Sequence, residues 1–153
     1  MSAGNELELR HEVLIHAPRE RVFRALTDPG EITAWWSLPG LYTVTEAEID
    51  LREGGAYRLS GTSANSGRFL LTGTYLAVEP PQRLKYTWIP DWSEDARGSI
   101  VEFHLESVGD ATRVVVRHTG FLSAAAYEEH RQGWPAVLGV LGEHLGRSPL
   151  CAT

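Results

Sequence analysis

The chain has 153 residues, 42% of them hydrophobic and 22% charged, with a formal net charge of −6. That is the length of one domain with an ordinary globular composition, and the acidic balance argues against a general nucleic-acid surface. One cysteine, Cys151, rules out an intramolecular disulfide, the polar segment Met1 to Arg10 lacks a signal core, and no apolar run approaches membrane-spanning length.

Leu7, Leu9, His11, Val13 and Ile15 alternate with Glu8, Arg10, Glu12 and Leu14, the period of a half-buried strand. Pro18 then suits the first turn of a helix, with Val22, Phe23 and Leu26 as its apolar stripe. Asp28-Pro29 repeats the signal, an N-cap followed by proline, for a second short helix running to Trp35-Trp36 and stopping before Pro39-Gly40. Strands are expected over Thr43 to Leu51, ending at Gly54-Gly55, and over Ala56 to Ser60. Gly61 to Gly67 reads as a polar hairpin loop, and Arg68 to Val78 as a longer strand closed by Pro80-Pro81. Three further alternating runs follow: Leu84, Tyr86 and Trp88; Val101, Phe103 and Leu105; then, after the Gly109-Asp110 turn, Thr112, Val114, Val116 and His118. From Ser123, a plausible N-cap, to Leu145 the spacing becomes helical, with Trp134, Val137, Leu138, Leu141 and Leu145 on one face. Pro135 removes a hydrogen bond inside that helix and predicts a kink near Gly133.

These elements predict a single α+β domain over 1–153, with a core at about 7–146 and a flexible tail at 147–153. One long helix over a curved antiparallel sheet of about seven strands leaves a hollow, which makes a small-molecule pocket the first functional expectation.

The order strand, two short helices, six strands, long helix resembles the helix-grip fold of the START, SRPBCC and birch-pollen-allergen superfamily. Pro18, the run Val22-Phe23-Arg24-Ala25-Leu26-Thr27-Asp28-Pro29, and Trp35-Trp36 are similar to the opening signature of homologues of the activator of the 90-kDa heat-shock protein ATPase. Asp50-Leu51-Arg52-Glu53-Gly54-Gly55 resembles that family's Asp-x-Arg-x-Gly-Gly turn. Thr112-Arg113-Val114 through His118-Thr119-Gly120-Phe121 resembles its last-strand motif, and Gly133-Trp134 with Leu138 and Leu141 its last-helix motif. Stand-alone bacterial members have no assigned role, and in some branches the resemblance implies a pocket for a lipid, hormone or polyketide-like molecule. In others it implies polyketide cyclase or aromatase activity, or enediyne-antibiotic resistance by self-sacrifice, for which Gly120 and Gly133 are the candidate cleavage positions. A co-chaperone role belongs to longer proteins with an additional N-terminal domain, for which this chain has no room, so a chaperone is the weakest of the partner expectations.

The candidate ligand-binding residues are Trp35, Tyr57, Tyr86, Trp88, Phe103, His118, Trp134, Leu138 and Leu141. Each also has a plain packing reading, because in such a fold the pocket is an unfilled part of the core. His118 shares parity with Val114 and Val116, and His11 with Leu9 and Val13, so both aim inward. His118 is the one candidate catalytic group: a ligand partner or general base on one reading, a core histidine held by a carbonyl or a tyrosine on the other. Glu46, Glu48 and Asp50 share a strand face opposite Ala47, Ile49 and Leu51 and are expected in water. Gly54-Gly55 reads as a turn or bulge, since no helix and no P-loop lysine follow it. His11-Glu12 has no histidine four residues after His11, so no metal site and no cofactor are expected. His130 and His144 are placed near the polar face of the last helix, and Cys151 in the tail. Ligand access is expected through the loops at 61–67 and 89–99, with Trp92 as a lid or an anchor. A cytoplasmic monomer or homodimer with a hydrophobic small-molecule partner completes the expectation.

Overall fold

The computed structural model describes residues 7–38, 40–64 and 67–146. Its elements are β1 (Leu9–Ile15), α1 (Arg19–Thr27), α2 (Pro29–Trp35), β2 (Ser37–Leu38), β3 (Tyr42–Ile49), β4 (Ala56–Ser63), β5 (Gly67–Glu79), β6 (Arg83–Pro90), β7 (Ser99–Val108), β8 (Ala111–Thr119) and α3 (Ala124–Gly146). The fold is α+β: one antiparallel sheet in the order β1-β8-β7-β6-β5-β4-β3-β2, curled around the long C-terminal helix.

Alternation decides which way each strand faces. In β6 and β8 every second residue is buried, so Leu84, Tyr86 and Trp88 meet Val114, Val116 and His118 on the concave side. The opposite side carries charge, with Arg113 held between Glu12 and Glu106 at 3.0 and 2.6 Å. Such exposed ion pairs contribute about 0–1 kcal/mol each, and they keep this face in water. The curl comes from irregularities in β3, between Val44 and Glu46, and in β5, between Tyr75 and Ala77, where a bulge bends its strand. β1 joins the sheet beside β8, with Leu9 opposite His118 and His11 opposite Val116, so the two histidines share the inner face of neighbouring strands.

Both expected N-caps form. The Asp28 carboxylate accepts the Glu31 backbone N–H at 3.0 Å with Pro29 in the first turn, and the Ser123 hydroxyl accepts that of Ala126 at 3.2 Å. α3 runs unbroken from Ala124 to Gly146 with Pro135 inside it. Its buried stripe is Ala126, His130, Trp134, Val137, Leu138, Leu141 and Leu145.

The sheet differs from expectation in two places. A two-residue strand, β2, pairs with β3 and brings the strand count to eight, because Ser37 and Leu38 are too short a run to show a period. The segment expected as a loop from Gly61 is strand as far as Ser63, and pairing with β5 resumes at Gly67. Gly61 is needed there: a Cβ would lie 1.9 Å from the Thr43 carbonyl oxygen, so only glycine permits the close approach of β3. Glu46, Glu48 and Asp50 face water as expected. The tail at 147–153, with Cys151, lies outside the described residues.

Candidate functional site

Two tryptophan–histidine pairs fasten α3 to the sheet, and they run in opposite directions. The helix residue Trp134 donates its indole N–H to Nδ1 of the strand residue His118 at 3.1 Å. The strand residue Trp88 donates to Nε2 of the helix residue His130 at 3.2 Å. An indole nitrogen only donates, so each histidine must accept at the nitrogen it presents. The remaining proton is therefore fixed. In His130 it sits on Nδ1 and is donated to the Ala126 carbonyl at 2.8 Å. In His118 it sits on Nε2 and is donated to the Ser99 hydroxyl at 2.8 Å, whose own proton goes to the Ala96 carbonyl at 2.6 Å.

Burial lowers both histidines from their ordinary range. His118, fully buried and further disfavoured as a cation by His130, is pushed down to about 2. His130 is also lowered by burial, with its bond to the Ala126 carbonyl acting the other way. Ser99 and His118 lie at the spacing of a nucleophile–base pair, yet the direction is wrong for one. The imidazole nitrogen facing the hydroxyl already carries a proton, so it cannot take another from serine. Both nitrogens of His118 are committed to structure.

The hollow lies beside this cluster, between the short helices and β3 to β6. Leu26 of α1 with Ile32 and Trp36 from α2 and its C-cap form the roof. Ile49, Leu59 and Leu71 with the rings of Tyr57, Tyr75 and Tyr86 form the floor and walls. Its volume is about 20 Å³. A cavity of that size has room for about one water, against the roughly 300 Å³ of a small-molecule pocket. Every lining residue is apolar or aromatic.

The three tyrosines form one cluster, with ring centroids 5.1 to 5.9 Å apart. Tyr57 donates its hydroxyl to the Thr87 carbonyl at 2.6 Å, and its ring lies over Gly73, where a Cβ would come within 2.5 Å of it. Tyr75 and Tyr86 are 3% and 7% exposed, and neither hydroxyl donates to a described residue. Burial raises the pKa of all three phenols above its ordinary value.

The structure thus divides the residues expected at the site. Tyr57 and Tyr86 line the hollow. Trp88, Phe103, His118 and Trp134 form the adjoining aromatic cluster, with Trp134 at 5.4 Å from Trp88 and 5.7 Å from Phe103. Trp35 stands behind Trp36, stacked at 5.2 Å, and donates its N–H to the Ala25 carbonyl. Leu138 and Leu141 are fully buried core. Gly120 lies just after β8 at φ +95°, Gly133 lies within α3, and neither lines the hollow. Among the described residues none of the lining comes from the loops at 61–67 or 89–99, and Trp92 packs edge-on against Phe69 and Trp88 and is 41% exposed.

His130, expected near the polar face, is buried, because it lies four residues before Trp134 and extends the apolar stripe backwards. That spacing was the available signal. Tyr75 also lines the hollow, and its signal is the unbroken alternation of β5, in which Phe69, Leu71, Gly73, Tyr75 and Ala77 are all buried. His144 does reach a polar edge, where Nε2 lies 3.1 Å from Glu31, which also pairs with Arg21 at 2.9 Å and so ties the three helices together. A second, open concavity of about 450 Å³ mixes Arg19, Arg83 and His104 with Glu79 and Glu106, and the opposed charges favour no ligand class. Among the described residues no group of histidine, cysteine or carboxylate side chains could hold a metal ion, and no helix is long and apolar enough to cross a membrane.

A family model described as activator of Hsp90 ATPase homolog 1-like protein matches residues 16–146. No curated protein matches the sequence. Among solved structures, the chain is similar to protein CV1439 from Chromobacterium violaceum, at 26% identity and a TM-score of 0.78, with 91% of this chain and 96% of that one covered. CalU16 from Micromonospora echinospora is 28% identical, with a TM-score of 0.68 over 97% of this chain and 88% of its own. DynU16, a protein of the dynemicin biosynthetic locus, shares the fold at 20% identity and a TM-score of 0.74, over 92% of this chain and 48% of its own.

Proposed function

This chain belongs to the activator of Hsp90 ATPase homolog 1-like family, and from that premise we propose that it binds a small apolar or aromatic molecule between α1–α2 and the inner face of the sheet. The observation that carries the reading is the lining of the hollow: aliphatic side chains and four aromatic rings, with no charged group among them. Such a wall gains from covering apolar ligand surface, at roughly 25 cal/mol per Å² before ordering costs. At about 20 Å³ the hollow is the closed form of that site. Filling it requires the short helices to lift, and one polar tie between them and α3 is the Glu31–His144 contact. Acid–base turnover by His118 has no support in the geometry, since both its nitrogens are engaged.

The small volume favours one second reading, a protein-interaction module whose core is simply filled. Titration of ¹⁵N-labelled protein with 2-methylnaphthalene separates the two. The binding role predicts saturable shifts of the Trp36 indole N–H, which roofs the hollow, while the Trp92 signal stays in place. A Trp36 signal that never moves up to the solubility limit refutes it, and binding to a chaperone middle domain would then support the interaction module.

A further inference from the structure

We infer that the hollow selects neutral ligands bearing a hydrogen-bond acceptor oxygen, such as an aryl ketone or ether, through the hydroxyls of Tyr75 and Tyr86. This rests on the binding role proposed above.

Three observations bear on it. First, the two hydroxyls are the polar groups left over. Tyr75 and Tyr86 line the hollow, both are more than nine-tenths buried, and neither donates to a described residue, whereas Tyr57 spends its proton on Thr87. Neither hydroxyl is a fully enclosed orphan, so the empty hollow carries no large penalty, and a ligand that supplies an acceptor adds a bond the protein does not make within itself. Second, both phenols remain protonated donors at neutral pH, because burial raises them, and Tyr86 is further disfavoured as an anion by the neighbouring Tyr75 phenol. Third, among the described residues no cation lines the hollow to receive a carboxylate and no anion to receive an ammonium, so either ion would be desolvated without compensation. The pinned ring of Tyr57, 5.1 Å from Tyr86 and 5.6 Å from Tyr75, holds the two free tyrosines in place. A site built to donate to an oxygen rejects an analogue that lacks it, because its own groups then stay unpaired.

The test uses one ring system with three substituents: 2-methylnaphthalene, 2-acetylnaphthalene and 2-naphthoate, titrated at pH 7.5 into wild type, Tyr75→Phe, Tyr86→Phe and the double variant. The ketone is expected to bind about tenfold tighter than the methyl compound, the difference one hydrogen bond makes, and the carboxylate not to saturate. Each single variant should lose part of the ketone's advantage, and the double variant should bind ketone and methyl compound equally. Unchanged melting temperatures confirm that the variants fold. Equal wild-type affinity for the two neutral compounds, or a preference surviving in the double variant, overturns the selectivity and leaves the binding role standing. Saturation by none of the three overturns both.

Discussion

Acidification is expected to unfasten α3 from the sheet through His118. The imidazole is held neutral, with Nδ1 accepting from Trp134 and Nε2 donating to Ser99. Protonation puts an N–H where Trp134 already points one, at a side chain that is fully buried. The folded value is pushed down to about 2 from an ordinary 6.5. Because it is depressed on folding, the stabilisation is fully present above pH 6.5 and is lost as pH falls through the interval down to the folded value. Within that window each pH unit costs about 1.4 kcal/mol for one extra proton bound by the unfolded chain. From pH 7.5 to pH 5.0 the loss from His118 alone is about 2 kcal/mol, and His130, lowered in the same direction, adds to it. Stopping at pH 5.0 keeps the measurement above the carboxylate range. Urea unfolding at half-unit pH steps reads the slope, and His118→Gln, which keeps a donor but does not titrate, should reduce it by about one proton. Stability flat to within about 0.5 kcal/mol across that range, or an identical slope in His118→Gln, would refute the assignment of a buried neutral histidine.

The tyrosine cluster predicts an asymmetry in unfolding experiments: Tyr57→Phe loses its bond to Thr87 and should cost about 1 kcal/mol, while Tyr75→Phe loses no described bond and should be neutral or stabilising. Trp134→Phe removes the donor to His118 and also shrinks a buried indole to a phenyl ring, so chemical denaturation should show a loss of about 3 kcal/mol or more from the unpaired acceptor and the cavity together. Gly73→Ala places a Cβ 2.1 Å from the Thr87 carbonyl oxygen and 2.5 Å from the Tyr57 ring. It should cost about 3 kcal/mol in unfolding free energy through overpacking. Glu31→Gln weakens the tie of α2 to Arg21 and His144; stopped-flow measurement should show faster uptake of 2-methylnaphthalene, with about 1 kcal/mol lost in stability.

The inward side of β1, β3, β6, β7 and β8, the starts of α2 and α3, and the family are all legible in the sequence. These are local signals. Alternation at a period of two placed Leu84, Tyr86, Trp88 and His118 on the concave face, and the caps at Asp28 and Ser123 are set by hydrogen bonds spanning three residues. Tertiary structure alone decided depth and partnership. Parity aimed His118 inward but left it either a base or a packed ring. Its tautomer was settled by Trp134 and Ser99, sixteen and nineteen residues away in sequence. The Trp88–His130 pair spans forty-two residues, and the burial of His130 depends on that contact. The size of the hollow was equally out of reach. A periodic pattern states that a face is apolar, whereas the closure to about 20 Å³ depends on how far Trp36 and Ile32 descend onto three tyrosine rings contributed by three different strands.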